Sequence, residues 1–343
     1  MRLPVWLTLG LTVLLAAATA HAAGTLNFYN WGEYTNPVLL KKFTRETGIQ
    51  VKIDNYESNE IMLAKLKAGG HGYDLAVPSH FIIPVMVKEG LLQKIDTSNM
   101  RNFQYIRPEH VNVKFDPGRQ YSIPWHWGTT GISLNTRYYN GPKADSWALL
   151  FDPPDELKGK INMLPDMPAV INAALHYLDL PPCDSNRAVL KKVSDLLMSS
   201  KKHWATIDYG TIEKMTSEDV YVSHNYNGSS MRIRAQLPFV QYIYPKEGLD
   251  AWSDNVVLLA DARNVKEAYR FLDFIMAPEN AALNSNYVRF ANAIAGSEKF
   301  MDEEMAMAPE ISGPGDAGKM VFIPQCSQEV TGMYTKIWNN LLK

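Results

Sequence analysis

Apolar and polar positions alternate over residues 26–31, Leu-Asn-Phe-Tyr-Asn-Trp, and predict a β-strand that runs out into a loop carrying Trp31, Glu33 and Tyr34. A helix follows at once. Asn36 is a good N-cap, Pro37 suits the first helical position, and Val38, Leu39, Leu40 and Phe43 form an apolar face that Gly48 terminates. Residues 50–56 read as a second strand. Ser58 caps a helix to about Ala68, which Gly69-Gly70 ends; residues 74–77 form a short apolar strand closed by Pro78-Ser79; a further helix over residues 83–89 stops at Gly90. This βαβαβ succession predicts a parallel sheet with helices on its faces. In such sheets ligands sit beyond the carboxyl ends of the strands, where Trp31, Glu33 and Tyr34 fall.

Near residues 122–127 the pattern changes, and an apolar strand over residues 129–135 follows. We read this as a crossing into a second lobe. That lobe holds strands near residues 161–164, 220–224 and 239–244, a helix over residues 168–178 and a long amphipathic helix over residues 186–198. A strand over residues 252–259 crosses back, a helix over residues 265–276 begins at the candidate cap Asn264, and residues 331–342 pattern as a helix. Two α/β lobes joined by extended crossings predict a hinged molecule with a cleft. The boundaries fall at residues 23–128 plus 253–296 for the first lobe and 129–252 plus 297–343 for the second.

The first 22 residues read as an export signal. Arg2 supplies the charge, residues 5–18 are apolar except for Thr8, Gly10 and Thr12, and Ala20-His21-Ala22 offers a cleavage site. The apolar run is short for a spanning helix. The protein is therefore expected outside the cytoplasm. The chain's formal net charge of −2 argues against nucleic acid or an anionic membrane as the main partner. Cys183 and Cys326 could pair in an oxidising compartment or remain separate buried thiols, and two cysteines alone make no metal framework. The chain has no G-x-S-x-G, H-E-x-x-H, P-loop or G-x-G-x-x-G motif, and neither cysteine stands in a nucleophile motif. The histidines are scattered, with none paired at metal-ligand spacing. They read as surface or satisfied core residues, though His80 and His126 lie beside candidate cleft loops and could line a site.

What recurs is an aromatic ring beside a carboxylate or small polar residue at expected loops: Trp31-Gly32-Glu33-Tyr34, Ser79-His80-Phe81, Trp125-His126-Trp127, Tyr226-Asn227-Gly228-Ser229 and Trp252-Ser253-Asp254, with Phe290 before Ala291-Asn292-Ala293. Each ring alone would be ordinary core, since 8 Trp and 17 Tyr must mostly pack somewhere. Together, at strand ends and crossings, they suit an organic cation. An ammonium leaving water needs a carboxylate within hydrogen-bond reach, and an aromatic face adds about 0.5–2 kcal/mol. A slot walled by Trp and Tyr with carboxylates at its ends would hold an extended diamine. Sugars also use aromatic walls with carboxylates and stay open as an alternative, whereas anion sites use Arg and helix N-termini.

Several stretches carry a family likeness: Phe28-Tyr29-Asn30-Trp31, Glu46-Thr47-Gly48-Ile49, Tyr56-Glu57-Ser58-Asn59-Glu60, Tyr73-Asp74-Leu75 with Val77-Pro78-Ser79, and Tyr244-Pro245-Lys246-Glu247-Gly248. Over nearly its whole mature length the chain resembles the bacterial periplasmic spermidine/putrescine-binding proteins, the solute receptors of polyamine ABC importers. The resemblance implies an α/β, two-lobe periplasmic binding protein fold, type II-like, that closes on its ligand. It also implies a monomer without cofactor or catalytic step, an inner-membrane permease as partner, and residence in the periplasm; an amine sensor is the variant reading. By matching positions it implies ring stacking by Trp31, Tyr34 and Trp252 and amine-binding carboxylates at Glu33, Asp166 and Asp254. Ser79 and Gln325 match polar contacts, and Tyr226 lies where relatives have Trp. Phe81 and Phe290 replace Tyr, and Ala169 stands where relatives carry a glutamate, so one end of the site has fewer polar partners. Glu57 and Glu60 read as structural, at a helix entrance. Glu33→Gln and Asp254→Asn are each expected to cost about 1–3 kcal/mol of affinity for a cation.

Overall fold

A computed structural model describes residues 24–311 and 320–343; the expected export signal lies outside the described residues. Local side-chain chemistry sets several helix starts. Asn36 Oδ1 accepts from Val38 N at 2.8 Å to open helix Pro37–Thr47, and Gly48 closes it at φ 73°. Ser58 Oγ takes the Ile61 amide to open Asn59–Lys67, and Asn186 Oδ1 takes that of Ala188 to open Arg187–Lys201. Asn264 behaves differently. It stands at the cap position of Val265–Ile275 but makes no capping bond; its Nδ2 donates to Asp74 Oδ2 at 3.0 Å. Asp74 is fully buried and draws in the amides of Asn27, Arg263 and Asn264 as well, because a buried carboxylate needs hydrogen bonds to offset lost hydration.

Strand Thr25–Trp31 pairs in parallel with Gln50–Tyr56 and Leu75–Ala76, as the βαβαβ pattern requires. Two long strands, Ser122–Asn135 and Leu249–Leu258, pair antiparallel and run through both lobes, so ten strands of the described residues form one sheet. Both begin earlier than the sequence pattern indicates. Every residue of Leu249–Leu258 is buried, so no polar alternation marks its start.

One core gathers Leu26, Phe28, Leu39, Phe43 and Phe271 in the first lobe; another gathers Ile132, Trp147, Leu150, Val193 and Leu197 in the second. Past residue 296 the chain stays with the first lobe for a few residues, through Ser297 Oγ to Asn292 Oδ1 and Asp302 N to Asn286 Oδ1. Met305 and Ala308 then pack with Met231. Cys183 and Cys326 form a disulfide that spans 143 positions of sequence.

Trp252 faces Gly128 across the paired long strands. A Cβ on Gly128 would lie 2.7 Å from Trp252 Cζ2 and closer still to Asn227 Oδ1. Gly128→Ala is therefore expected to destabilise the protein by about 1–3 kcal/mol through overpacking, read as a lower urea midpoint. An unshifted midpoint would mean that the ring has room to move.

Helices Thr211–Thr216, Asn227–Arg234 and Pro278–Val288 are not evident in the hydrophobic pattern. Tyr226-Asn227-Gly228-Ser229, expected as a loop, joins strand Val222–Tyr226 directly to helix Asn227–Arg234. Asn, Gly and Ser are turn formers. Tertiary packing overrides them here: Asn227, Gly228 and Ser230 are buried, and a Cβ on Gly228 would strike the Phe290 ring.

Candidate functional site

A cavity of about 580 Å³ opens between the lobes. Ten of the residues singled out from sequence line it. Trp31, Glu33 and Tyr34 come from the end of the first strand and the loop after it, Ser79 and Phe81 from the third strand's end, and Trp252 and Asp254 from the returning long strand. Phe290 follows helix Pro278–Val288, while Asp166 and Tyr226 face them from the second lobe. Gln325 is not among the lining residues. It is exposed, and its Nε2 faces the Cys326 carbonyl at 3.4 Å.

Asp254 is the most enclosed charge. The pairing of the long strands skips Trp125, so that Asp254 faces His126 and Asn255 faces Pro124. Such a bulge re-aims side chains. Asp254 Oδ1 accepts from Ser79 Oγ at 2.7 Å, and Oδ2 from the Tyr34 hydroxyl at 3.0 Å. Asn59 holds Ser79 in turn, with Nδ2 donating to Oγ at 3.0 Å. Burial pushes the Asp254 carboxyl up to about 7 despite these two donors, so its charge is poorly compensated by the protein itself. Aromatic rings wall this end: Trp252 meets Phe290 edge-on at 5.0 Å and Tyr226 at 6.0 Å, and Phe290 meets Tyr34 at 5.8 Å. Trp31 is fixed by its indole N–H to the Val77 carbonyl at 2.9 Å and by the Tyr56 ring.

The second carboxylate, Asp166, has two duties. Oδ1 caps helix Met167–Tyr177 by accepting from Ala169 N at 3.0 Å, and Oδ2 accepts from the Tyr226 hydroxyl at 2.9 Å. Burial raises its carboxyl, and Glu60 adds to the rise. Glu57 and Glu60 do stand at the entrance of helix Asn59–Lys67, but they are not only structural: both are exposed on the rim of the same cavity. Tyr209, across the cleft, is half exposed overall, and its phenol is pushed up by lost hydration on the cavity side and then by Asp166, Glu60 and Glu57. Ala169 lines the cavity with no charge to add.

His80 and His126 are not among the lining residues. His80 bridges Ser253 N and the Ile323 carbonyl, and His126 bridges the Ala291 carbonyl and Asn284. Burial pushes them down to about 4 and about 3, so both are neutral braces behind the wall. Sequence reasoning missed Tyr209, Arg232, Thr335 and Trp338. Arg232 belongs to the unforeseen helix, where the spacing of three from Tyr226 through Ser229 was the available signal. Thr335 and Trp338 belong to helix Gln328–Leu341, which patterns as an ordinary amphipathic helix. Glu33 sits at φ 52° with its side chain 78% exposed, and its Oε2 lies 3.7 Å from Arg232 Nη2. Enclosed carboxylates between aromatic faces suit a cation: an ammonium placed there would return to Asp254 the compensation that burial removed.

The model of the bacterial extracellular solute-binding protein family matches residues 39–313. The chain is 31% identical over 345 residues to the putrescine-binding periplasmic protein SpuD of Pseudomonas aeruginosa, covering 95% of this chain and 94% of that one. It is 34% identical over 294 residues to the spermidine/putrescine-binding periplasmic protein of Escherichia coli, covering 85% and 84%. The spermidine/putrescine ABC transporter substrate-binding protein PotD from Streptococcus pneumoniae superposes with a TM-score of 0.80 at 29% identity, over 93% of this chain and 98% of that one. The chain belongs to the bacterial extracellular solute-binding protein family.

Proposed function

We propose that this bacterial extracellular solute-binding protein is the periplasmic receptor of an ABC importer for amines of the putrescine and spermidine class. It delivers them to an inner-membrane permease as a monomer and carries out no chemical step. The observation that carries this reading is Asp254: a buried carboxylate, held by two hydroxyls, ringed by Trp252, Tyr34 and Phe290 and in no ion pair among the described residues. One ammonium pairs with Asp254, methylenes lie against the rings, and a second ammonium reaches the Asp166 side, where Glu57 and Glu60 offset the missing carboxylate at Ala169. Because the lining comes from both lobes, a bound diamine draws them together about the crossing at Gly128 and Trp252. The names of the similar proteins, which bind putrescine or spermidine, support the same ligand class.

Calorimetric titration of ligand-free protein with putrescine, spermidine and anionic controls tests this, and its pH dependence is diagnostic. Below about 7 the Asp254 carboxyl is protonated in the empty cavity, and an incoming ammonium must displace that proton. Affinity is expected to weaken as pH falls through 7, towards about tenfold per unit, with a proton released on binding. Titrations in buffers of different ionisation enthalpy would read that proton. For folding the sign is reversed. A raised carboxyl contributes stability below the ordinary carboxylate range and loses it as pH rises through about 7. Binding of anions alone would sink the reading; amine binding with no proton release at pH 6 would show instead that the Asp254 carboxyl is already ionised in the empty cavity.

A further inference from the structure

Arg232 is the one cation among the described residues that line the cavity, against Glu33, Glu57, Glu60, Asp166 and Asp254. It projects from helix Asn227–Arg234 of the second lobe, three residues after Ser229 and six after Tyr226, which also line the cavity. Its Nη2 lies 3.7 Å from Glu33 Oε2, on the loop after the first strand. The pair therefore spans the cavity mouth from one lobe to the other. Both side chains are substantially exposed, 42% for Arg232 and 78% for Glu33, and such pairs add little to folding. What the pair changes is the charge that a ligand meets. Among the described residues neither Asp254 nor Asp166 is in an ion pair; their partners are hydroxyls and one amide. Glu33 already faces a guanidinium. Two enclosed carboxylate ends are free for ammonium groups, and the third position is filled by the protein.

We propose that Arg232 is a specificity-determining residue that stands where a third ammonium would pair with Glu33, and so biases the cavity towards amines with two positive charges over amines with three. The inference rests on the amine reading of the cavity. A triamine placed on Asp254 and Asp166 brings its remaining charge into a cavity that already holds a guanidinium. Like charges several ångströms apart in a partly dry site cost on the order of tenfold in affinity. Arg232 could only help a ligand that carried a carboxylate at that end.

The test is calorimetric titration at pH 8 of the ligand-free mature protein and two variants, Arg232→Gln and Arg232→Lys, with putrescine, spermidine and 4-aminobutyrate. Arg232→Gln is expected to lower the ratio of the spermidine Kd to the putrescine Kd by about tenfold, and Arg232→Lys, which keeps the charge, is expected to preserve it. Amine binding with a ratio unmoved by Arg232→Gln, or moved as far by Arg232→Lys, would overturn this inference and leave the amine reading standing. So would wild-type protein that binds 4-aminobutyrate more tightly than putrescine and loses it in Arg232→Gln, since Arg232 would then be a carboxylate partner. Wild-type protein that binds neither amine would overturn the amine reading and this inference with it.

Discussion

Asp254→Asn is expected to weaken putrescine binding by about 2–5 kcal/mol, the range for removing one member of an enclosed, hydrogen-bonded charge pair. The substitution keeps the side chain's shape, and the Ser79 and Tyr34 hydroxyls can rotate to meet an amide. The loss is then of charge and not of structure. A second readout separates the two. At pH 8 the wild-type protein holds a desolvated carboxylate that burial has pushed up to about 7, so the empty variant is expected to melt no lower than wild type. A variant that binds putrescine within threefold of wild type, or that melts much lower when empty, would defeat the assignment of Asp254 as the principal amine partner. Glu33→Gln provides the contrast. From sequence both substitutions carry the same expected cost, about 1–3 kcal/mol. Glu33 is exposed and already shared with Arg232, so its loss is expected to cost less than about 1 kcal/mol.

The second large effect concerns stability. Removing the Cys183–Cys326 disulfide, by reductant or by the double substitution Cys183→Ser and Cys326→Ser, is expected to cost about 2–5 kcal/mol. The bond closes a loop of 143 positions, and the denatured-chain entropy it removes grows with loop length. Its position adds a functional consequence. Cys326 directly precedes Ser327, whose hydroxyl caps helix Gln328–Leu341, and that helix carries Thr335 and Trp338 to the cavity. Tyr334 on the same helix accepts the Cys183 amide at 3.0 Å. Urea unfolding with and without reductant measures the stability term, and putrescine titration of the reduced protein measures any loosening of the helix. A midpoint that reductant leaves unchanged would show that packing alone secures the C-terminal helix.

Much of the cavity wall was legible because it sits beside local signals. Trp31, Glu33 and Tyr34 follow a strand and precede a helix opened by Asn36 and Pro37; Ser79 and Phe81 follow a short strand. Trp252 and Asp254, two apart on one strand, share a face by the pleat alone. The misses are of another kind. His80 and His126 adjoin cavity residues in sequence but turn the other way, to backbone carbonyls and amide groups. Gln325 was placed by likeness, but Ile323, two residues before it, is the one that lines the cavity. Arg232 belongs to a helix whose first residues, Asn-Gly-Ser-Ser, are turn formers that tertiary packing holds helical.

By itself, then, the sequence determined the parallel βαβαβ start, the helix caps at Asn36 and Ser58 and the aromatic-with-carboxylate character of the cavity. These depend on contacts within a few residues, between a side chain and nearby backbone or along one face of one element. The tertiary structure alone decided which carboxylates are enclosed and which are not. Asp254 gains its raised carboxyl from burial at a bulge opposite Trp125, beneath Ser79 and Tyr34, which lie 175 and 220 positions away. Glu33 has its charge matched by Arg232 from the other lobe. Desolvation and charge pairing are set by what the fold packs around a group, and no spacing along the chain encodes that directly.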